Sequence, residues 1–333
     1  MAERGNASLR DVADRAGVSV GTVSHVLNHP ERVSPALRDK VTAAIRDLNF
    51  VRSGAARQLR QGRSTMVGLV VLDIGNPFYT DPARAIEDAL SAAGLALVIS
   101  SSDAEPEREA RVLRTLIEQQ VRGVIITPSE ETPALLPMLR DRGIPVVLLD
   151  SPGDIEGYPS VGVDDVAGGA MAVRHLLERG HRLIAMITGP MSLRQARDRL
   201  SGARRAVTEA GLDPDAVLVP VETDAFTADA GEDAMNRLLA RAEVPTATFA
   251  ANDVMMIGAM RALRREGVHI PEDMALVGYD DIMVAAELIT PLSSVHQPMA
   301  DLGRTAAELL LDGDAEKRHV VFQPELVVRE SSG

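Results

Sequence analysis

From residue 67 onward the chain repeats short, almost uninterrupted apolar runs: VGLVV (67–71), LALVIS (95–100), GVIIT (123–127) and PVVLLD (145–150), then RLIAMITG (182–189), AVLVPVE (216–222), TATFAAND (246–253) and ALVGYDD (275–281). None approaches the roughly 18 apolar residues of a membrane-spanning helix. Apolar strands separated by helices form parallel sheets covered on both faces, because helical crossovers bury each strand on two sides. The intervening segments are helical in pattern: DPARAIEDALSAAG and EREARVLRTLIEQQ in the first set, and residues near 167–179, 197–210, 229–241 and 254–266 in the second. The expectation is α/β, with two doubly wound parallel-sheet lobes.

Ligands of such sheets sit outside the carboxyl ends of the strands. With two lobes face to face, that place is the cleft between them. Polar residues at strand ends are therefore candidate ligand contacts: Asp150 after PVVLLD, Asn252 and Asp253 after TATFAAND, Asp280 and Asp281 after ALVGYDD, with Arg199 in RQARDRLSG at the start of a helix. Each acid also precedes a helix or turn, where capping is the plainer use. Capping is the preferred reading for Asp253 and Asp281. Arg199 and Asp280 are the stronger contacts, since a guanidinium and a carboxylate grip hydroxyls through charge-assisted bonds.

Ahead of the lobes, LRDVADRAGVSVGTVSHVLN (9–28) carries two short amphipathic segments around Gly17. Leu9, Val12, Ala13 and Ala16 share one helical face, and Val18, Val23, Val26 and Leu27 another. Ser8 with Asp11 forms an S-x-x-D start, and Ser19 caps the second segment. The turn is too short for antiparallel packing, so the helices cross steeply. This is a helix-turn-helix pattern, whose second helix enters the major groove of DNA; an ordinary helical hairpin is the alternative. Ser34-Pro35 opens a third helix with Val41, Ala44, Ile45 and Leu48 as its buried stripe. Next, FVRSGAARQLRQGRST (50–65) offers Ser53 as the cap of a short helix that Gly62 stops, with Arg52, Arg57, Arg60 and Arg63 around Ala55, Ala56 and Leu59. A helix that short is unstable alone in water, and a flexible basic linker is the competing reading.

Charge separates the two parts. The formal net charge is −13, yet residues 1–64 hold 11 Lys/Arg against 6 Asp/Glu, net +5, leaving 24 against 42, net −18, for the remainder. A basic head on an acidic body directs only the head toward phosphate. With 2% aromatic residues and no Trp, base stacking is disfavoured and duplex reading through a helix is favoured. There is no Cys, hence no disulfide, thiolate metal site or cysteine nucleophile. No phosphate-binding G-x-x-x-x-G-K-[ST] loop or H-E-x-x-H pair occurs. The expectation is therefore no catalytic residue, no metal and no cofactor. Met255, Met256 and Met260 read as core filler. The beginning, MAERGNASLRDVADRAGV, has no apolar signal-peptide core, and the expected compartment is the cytoplasm, in association with the nucleoid.

DVADRAGVSVGTVSHVLN, then AARQL, then VGLVV and NPF, resembles the ordered signature of the lactose/galactose-repressor (LacI) family of bacterial transcription factors, over essentially the whole chain. The resemblance implies that AARQL is a hinge helix that folds when a dimer binds DNA, with Leu59 matching the leucine wedged into the minor groove. It implies base reading by Val20, Gly21 and His25, and backbone positioning by Thr22, Ser24 and Asn28. Val20 suits a thymine methyl and His25 a base edge; Gly21 departs from the larger polar residue often found there. Ser19, Arg57 and Arg60 complete the DNA-contacting set. For the body it implies a periplasmic-binding-protein-like fold, with Asp150, Arg199, Asn252 and Asp280 holding a small polar effector, often a sugar, and Phe78 of NPFY as an apolar wall.

The expected layout is a DNA-binding head at 1–52, a hinge and linker at 53–64, and a two-lobed effector-binding and dimerisation body at 65–333. The first lobe takes about 65–165 and 298–315; the second takes about 166–297 and 316–333. The expected partners are double-stranded DNA with a pseudo-palindromic operator, a sugar-like effector and a second copy of the chain. No C-terminal heptad repeat suggests a higher oligomer, and no membrane partner is expected. Two other readings compete. A sugar-binding protein or sugar-metabolising enzyme sharing the body fold would lack the head and carry a secretion signal. A nucleoid architectural protein would leave the polar cleft unexplained.

Overall fold

The structure, a computed structural model, describes residues 7–50, 64–151, 153, 155–312 and 318–333. The chain divides into two compact units, residues 1–64 and 65–333. In the first unit, α1 (Leu9–Ala16), α2 (Val20–Asn28) and α3 (Pro35–Asp47) enclose a small core of Val12, Ala13, Ala16, Val23, Val26, Val41 and Ala44. Ser8 and Asp11 cap α1 reciprocally: the Ser8 amide donates to Asp11 Oδ2 at 2.7 Å and the Asp11 amide to Ser8 Oγ at 3.3 Å. Gly17 ends α1 in the left-handed region at φ 63°, which a residue with a Cβ rarely enters. That reversal lets α2 start three residues later, with the Thr22 amide donating to Ser19 Oγ. Ser34 stands at the N-cap of α3 without a side-chain cap bond, and Pro35 supplies the preset first turn.

The second unit contains two six-stranded sheets among the described residues. The first lobe holds β1 (Met66–Val71), β2 (Ala96–Ser101), β3 (Gly123–Ile126), β4 (Val146–Leu149) and β5 (Ser160–Val163). The second holds β6 (Ile184–Gly189), β7 (Leu218–Glu222), β8 (Ala247–Ala250), β9 (Ala275–Asp280) and β10 (Ser293–His296). The last two strands, β11 (His319–Phe322) and β12 (Glu325–Val327), give sheet orders β11-β5-β4-β3-β1-β2 and β12-β10-β9-β8-β6-β7. All pairings are parallel except β10 with β12. Alternate residues of β1 feed opposite faces: Val67, Leu69 and Val71 meet helices Thr80–Ala92 and Met299–Leu311, while Val70 meets helix Pro106–Glu118. The second sheet is covered likewise on both faces.

The lobes are interlaced. The chain leaves the first lobe after β5, returns with helix Met299–Leu311 and β11, and crosses again to β12. This corrects the expectation that residues 316–333 belong to the second lobe. His319–Phe322 pairs in parallel with β5, and only from Glu325 does the chain join β10. Pro324 lies between the two strands; lacking an amide hydrogen, it cannot extend the first ladder. Two further differences are local. AVLVPVE starts as a helical turn, Pro214–Val217, before becoming strand, and the helix carrying Arg199 begins at Arg194, three residues earlier than its apolar pattern suggests.

Helices Asp165–Glu178 and Arg194–Glu209 pack unusually closely. A Cβ at Gly169 would lie 2.1 Å from the Arg199 carbonyl oxygen, and one at Gly202 would lie 2.0 Å from that of Val166. Only hydrogen fits at either place, so the two backbones touch. That contact sets Arg199 beside Asp165. Among the described residues no helix is long and apolar enough to cross a membrane.

Candidate DNA-reading helix and ligand cleft

The exposed side of α2 presents Ser19, Val20, Gly21, His25 and Asn28, with Thr22 and Ser24 half-buried. Val23 and Val26 point inward and fix the helix to the core. Val20, Gly21 and His25 therefore share the outer face, as a base-reading set requires. His25 lies against His29 with ring centroids 5.4 Å apart. Asn28 Nδ2 donates to the Ser24 carbonyl at 2.7 Å, so this pair is tied together along the helix. Arg57, Leu59 and Arg60 lie outside the described residues.

In the body, a cavity of about 310 Å³ lies between the lobes at the carboxyl ends of their strands. Phe78, Asp150, Arg199, Asn252 and Asp280 all line it. Asp150 follows β4 and Asp280 ends β9, both with positive φ (56° and 104°). Phe78 sits in the turn Pro77–Tyr79, whose start is held by the Phe78 amide donating to Asn76 Oδ1 at 3.0 Å. Asn252 caps helix Asp253–Glu266: the Met255 amide donates to its Oδ1 at 2.8 Å, which turns its Nδ2 toward the Phe226 carbonyl.

Arg199 is buried and densely bound. Its Nε donates to Asp165 Oδ1 at 2.8 Å, its Nη1 to the Ala251 carbonyl at 2.5 Å, and its guanidinium carbon lies 3.7 Å from the centroid of the Tyr279 ring. Asp280 is farther off, 3.9 Å from Nη1. Asp165 is thus the principal counter-ion, a role that sequence reasoning did not give it. Burial alone would favour the neutral guanidine, but the carboxylates of Asp165, Asp280 and Asp150 outweigh it and hold Arg199 charged. Burial pushes Asp280 well above the usual carboxylate range, and Gln297 Nε2 donates to its Oδ1 at 2.7 Å.

Asp150 belongs to the first lobe but is held by the second. Gln195 Nε2 donates to its Oδ2 at 2.7 Å, and Arg194 Nη2 to its carbonyl at 2.8 Å. Burial, with the nearby Asp165 charge, pushes its carboxyl up to about 6 against the pull of Arg194 and Arg199. Asp150 Oδ1 is buried with no hydrogen-bond partner, as is Gln195 Oε1. Leu193 and Phe226, from the second lobe, pack on the core of the first and form an apolar side of the cavity. Gln195, Leu193 and Phe226 are additions to the sequence-derived set. Gln195 was within reach, since it lies four residues before Arg199 on the same helical face.

Asp253 and Asp281 do not line the cavity, and neither acts as a simple cap. Asp253 accepts from Ser294 Oγ at 2.7 Å and from the Ile282 amide at 3.0 Å. Asp281 pairs with Arg329 at 2.7 Å and His296 at 3.1 Å. Both tie the ends of β9 and β10 together.

Two family descriptions match: bacterial regulatory proteins, lacI family, over residues 8–53, and a periplasmic binding protein-like domain over residues 173–332. The ribose operon repressor of Escherichia coli (strain K12) is 36% identical over 323 residues, covering 96% of this chain and 94% of the relative. This chain belongs to the lacI family. Among solved structures, the lac repressor dimer bound to operator and the anti-inducer ONPF matches with a TM-score of 0.85 at 30% identity, covering 98% of this chain and 99% of the other. A complex of the transcriptional regulator CelR with cellobiose matches at 0.71 and 37% identity, covering 98% and 100%. This lacI-family protein is accordingly a DNA-binding transcriptional regulator with a two-lobed ligand-binding body.

Proposed function

We propose that this regulator is a repressor that grips a pseudo-palindromic operator as a homodimer and is controlled by a small sugar-like effector in the cleft. The observation that carries the reading is the convergence of Phe78, Asp150, Arg199, Asn252 and Asp280, from both lobes, on one cavity. A ligand touching both lobes binds their relative arrangements unequally, which is the requirement for shifting a conformational equilibrium. A coupling of about 1–3 kcal/mol suffices for regulation. The names of its relatives support the ligand class, ribose for one and cellobiose for another.

In the head, Val20, Gly21 and His25 read bases, while Ser19, Thr22, Ser24 and Asn28 set the helix on the phosphates. Arg57, Leu59 and Arg60 contact the operator centre from the hinge, residues 53–64. The exposed apolar residues Ile74 and Ile99, which line one groove beside edge strand β2, support a second copy as partner. No residue is assigned a catalytic role, and the site of action is the chromosome, in the cytoplasm.

The test has two arms. DNA selected from a random pool by the full-length protein is expected to converge on two inverted half-sites. A thermal-shift screen of sugars is expected to find one that raises Tm and changes operator affinity, because a ligand of the folded state stabilises it. Enrichment of no sequence, or a stabilising sugar without effect on DNA binding, defeats the reading.

A further inference from the structure

We propose that the cleft selects a hydroxyl-rich ligand and turns away phosphorylated or carboxylated versions of it, because its wall is acidic. The proposal rests on the reading of this cavity as the effector site and specifies the chemistry it accepts. The cavity wall carries five carboxyl groups, Asp73, Asp103, Asp150, Asp224 and Asp280, against one cation, Arg199. Of the five, Asp103 is paired with Arg108 outside the cavity, and burial raises Asp280 well above the usual carboxylate range, so the acidic character rests on Asp73, Asp150 and Asp224. Arg199 is largely committed to Asp165, the Ala251 carbonyl and the Tyr279 ring. Little of its charge is left to balance an incoming anion.

The hydrogen-bonding pattern points the same way. Asp150 accepts at Oδ2 from Gln195 Nε2, and its Oδ1 and Gln195 Oε1 are buried without a partner. The orientation of the Gln195 amide is forced, because a carboxylate only accepts. Asp73 and Asp224 are exposed carboxyls on the wall, and a carboxylate only accepts, so a ligand suits them by donating. A sugar hydroxyl donates and accepts at once. A phosphate dianion or a carboxylate offers only acceptors and adds like charge. Phe78, Leu193 and Phe226 supply apolar contact for the carbon skeleton, so affinity need not come from charge.

The experiment is calorimetric titration of the full-length protein with matched pairs: ribose and ribose 5-phosphate, glucose and glucose 6-phosphate, cellobiose and cellobionate. For whichever neutral sugar binds, its anionic partner is expected to bind at least about ten-fold more weakly, as one uncompensated like charge in a partly buried site requires. In the variant carrying Asp73→Asn and Asp224→Asn, that gap is expected to narrow several-fold. An anionic partner that binds as tightly as the neutral sugar overturns the proposal and leaves the sugar reading intact. A gap unchanged in the double variant assigns the discrimination to shape and overturns it as well. If no member of any pair binds to protein that still selects DNA, the sugar reading falls and this proposal with it.

Discussion

Arg199 shows what a single residue's sequence context conveys and what it omits. RQARDRLSG marked it as a charged group at a helix start facing the strand ends, and it does line the cavity. Its chief partner, Asp165, is 34 residues away and heads the preceding helix, so no local pattern links the two. The same holds for Asp150, whose position at a strand end was legible but whose clasp by Gln195 across the lobes was not. Asp253 supports a residue-level prediction. Burial raises its carboxyl from 3.8 to about 7, outweighing donation by Ser294 and the Ile282 amide. A carboxyl raised in the folded state binds more protons folded than unfolded. Its contribution is thus fully present below about pH 4 and is lost as pH rises through about 7. Asp253→Asn removes a titration worth on the order of a few kcal/mol. Thermal denaturation between pH 4 and 8 is expected to fall less steeply with pH in the variant; an identical slope would mean that Asp253 does not titrate in this window.

At the level of elements, apolar runs located most strands because a doubly covered strand must be apolar throughout. SVGV (160–163) and HVVF (319–322) were harder. The first contains a glycine, and the second is an edge strand with alternating exposure, so neither stands out as a buried run. Close helix packing was not legible either, since small residues on a helix face do not say which neighbour they meet. Gly169 and Gly202 make that packing testable. A methyl group at Gly202 has to displace backbone at Val166, with nowhere for a flexible side chain to yield. Gly202→Ala is expected to destabilise the body by about 1–3 kcal/mol, the usual range for overpacking. It should also weaken effector binding, because separating the helices draws Arg199 from Asp165. Denaturant unfolding and ligand titration check both effects; a variant of unchanged stability would mean that the helices separate freely.

At the level of the whole molecule, the two lobes share their segments. The first sheet receives β11 only after the chain has built most of the second, and the second receives β12 only after that return. Neither lobe is a continuous stretch that could be cut out and remain whole. Leu193 also buries a second-lobe side chain in the first lobe's core, and Phe226 packs against that core. Residues 65–333 are therefore expected to unfold in one calorimetric transition, with the van't Hoff and calorimetric enthalpies in agreement. Two resolved body transitions would show that the crossings do not couple the lobes. The head needs no such partner: its core is drawn entirely from residues 9–50.

The crossings bear on the order of events during synthesis. The ribosome releases β5 at Val163, but the strand that lies beside it, β11, begins only at His319. At about 5–20 residues per second, that neighbour follows after roughly eight to thirty seconds. For all of that time one side of β5 lacks its native cover, while the small head has long since emerged with every residue of its core. The nascent chain is thus able to form its DNA-reading part before the part that governs it, and the timetable is written in strand order.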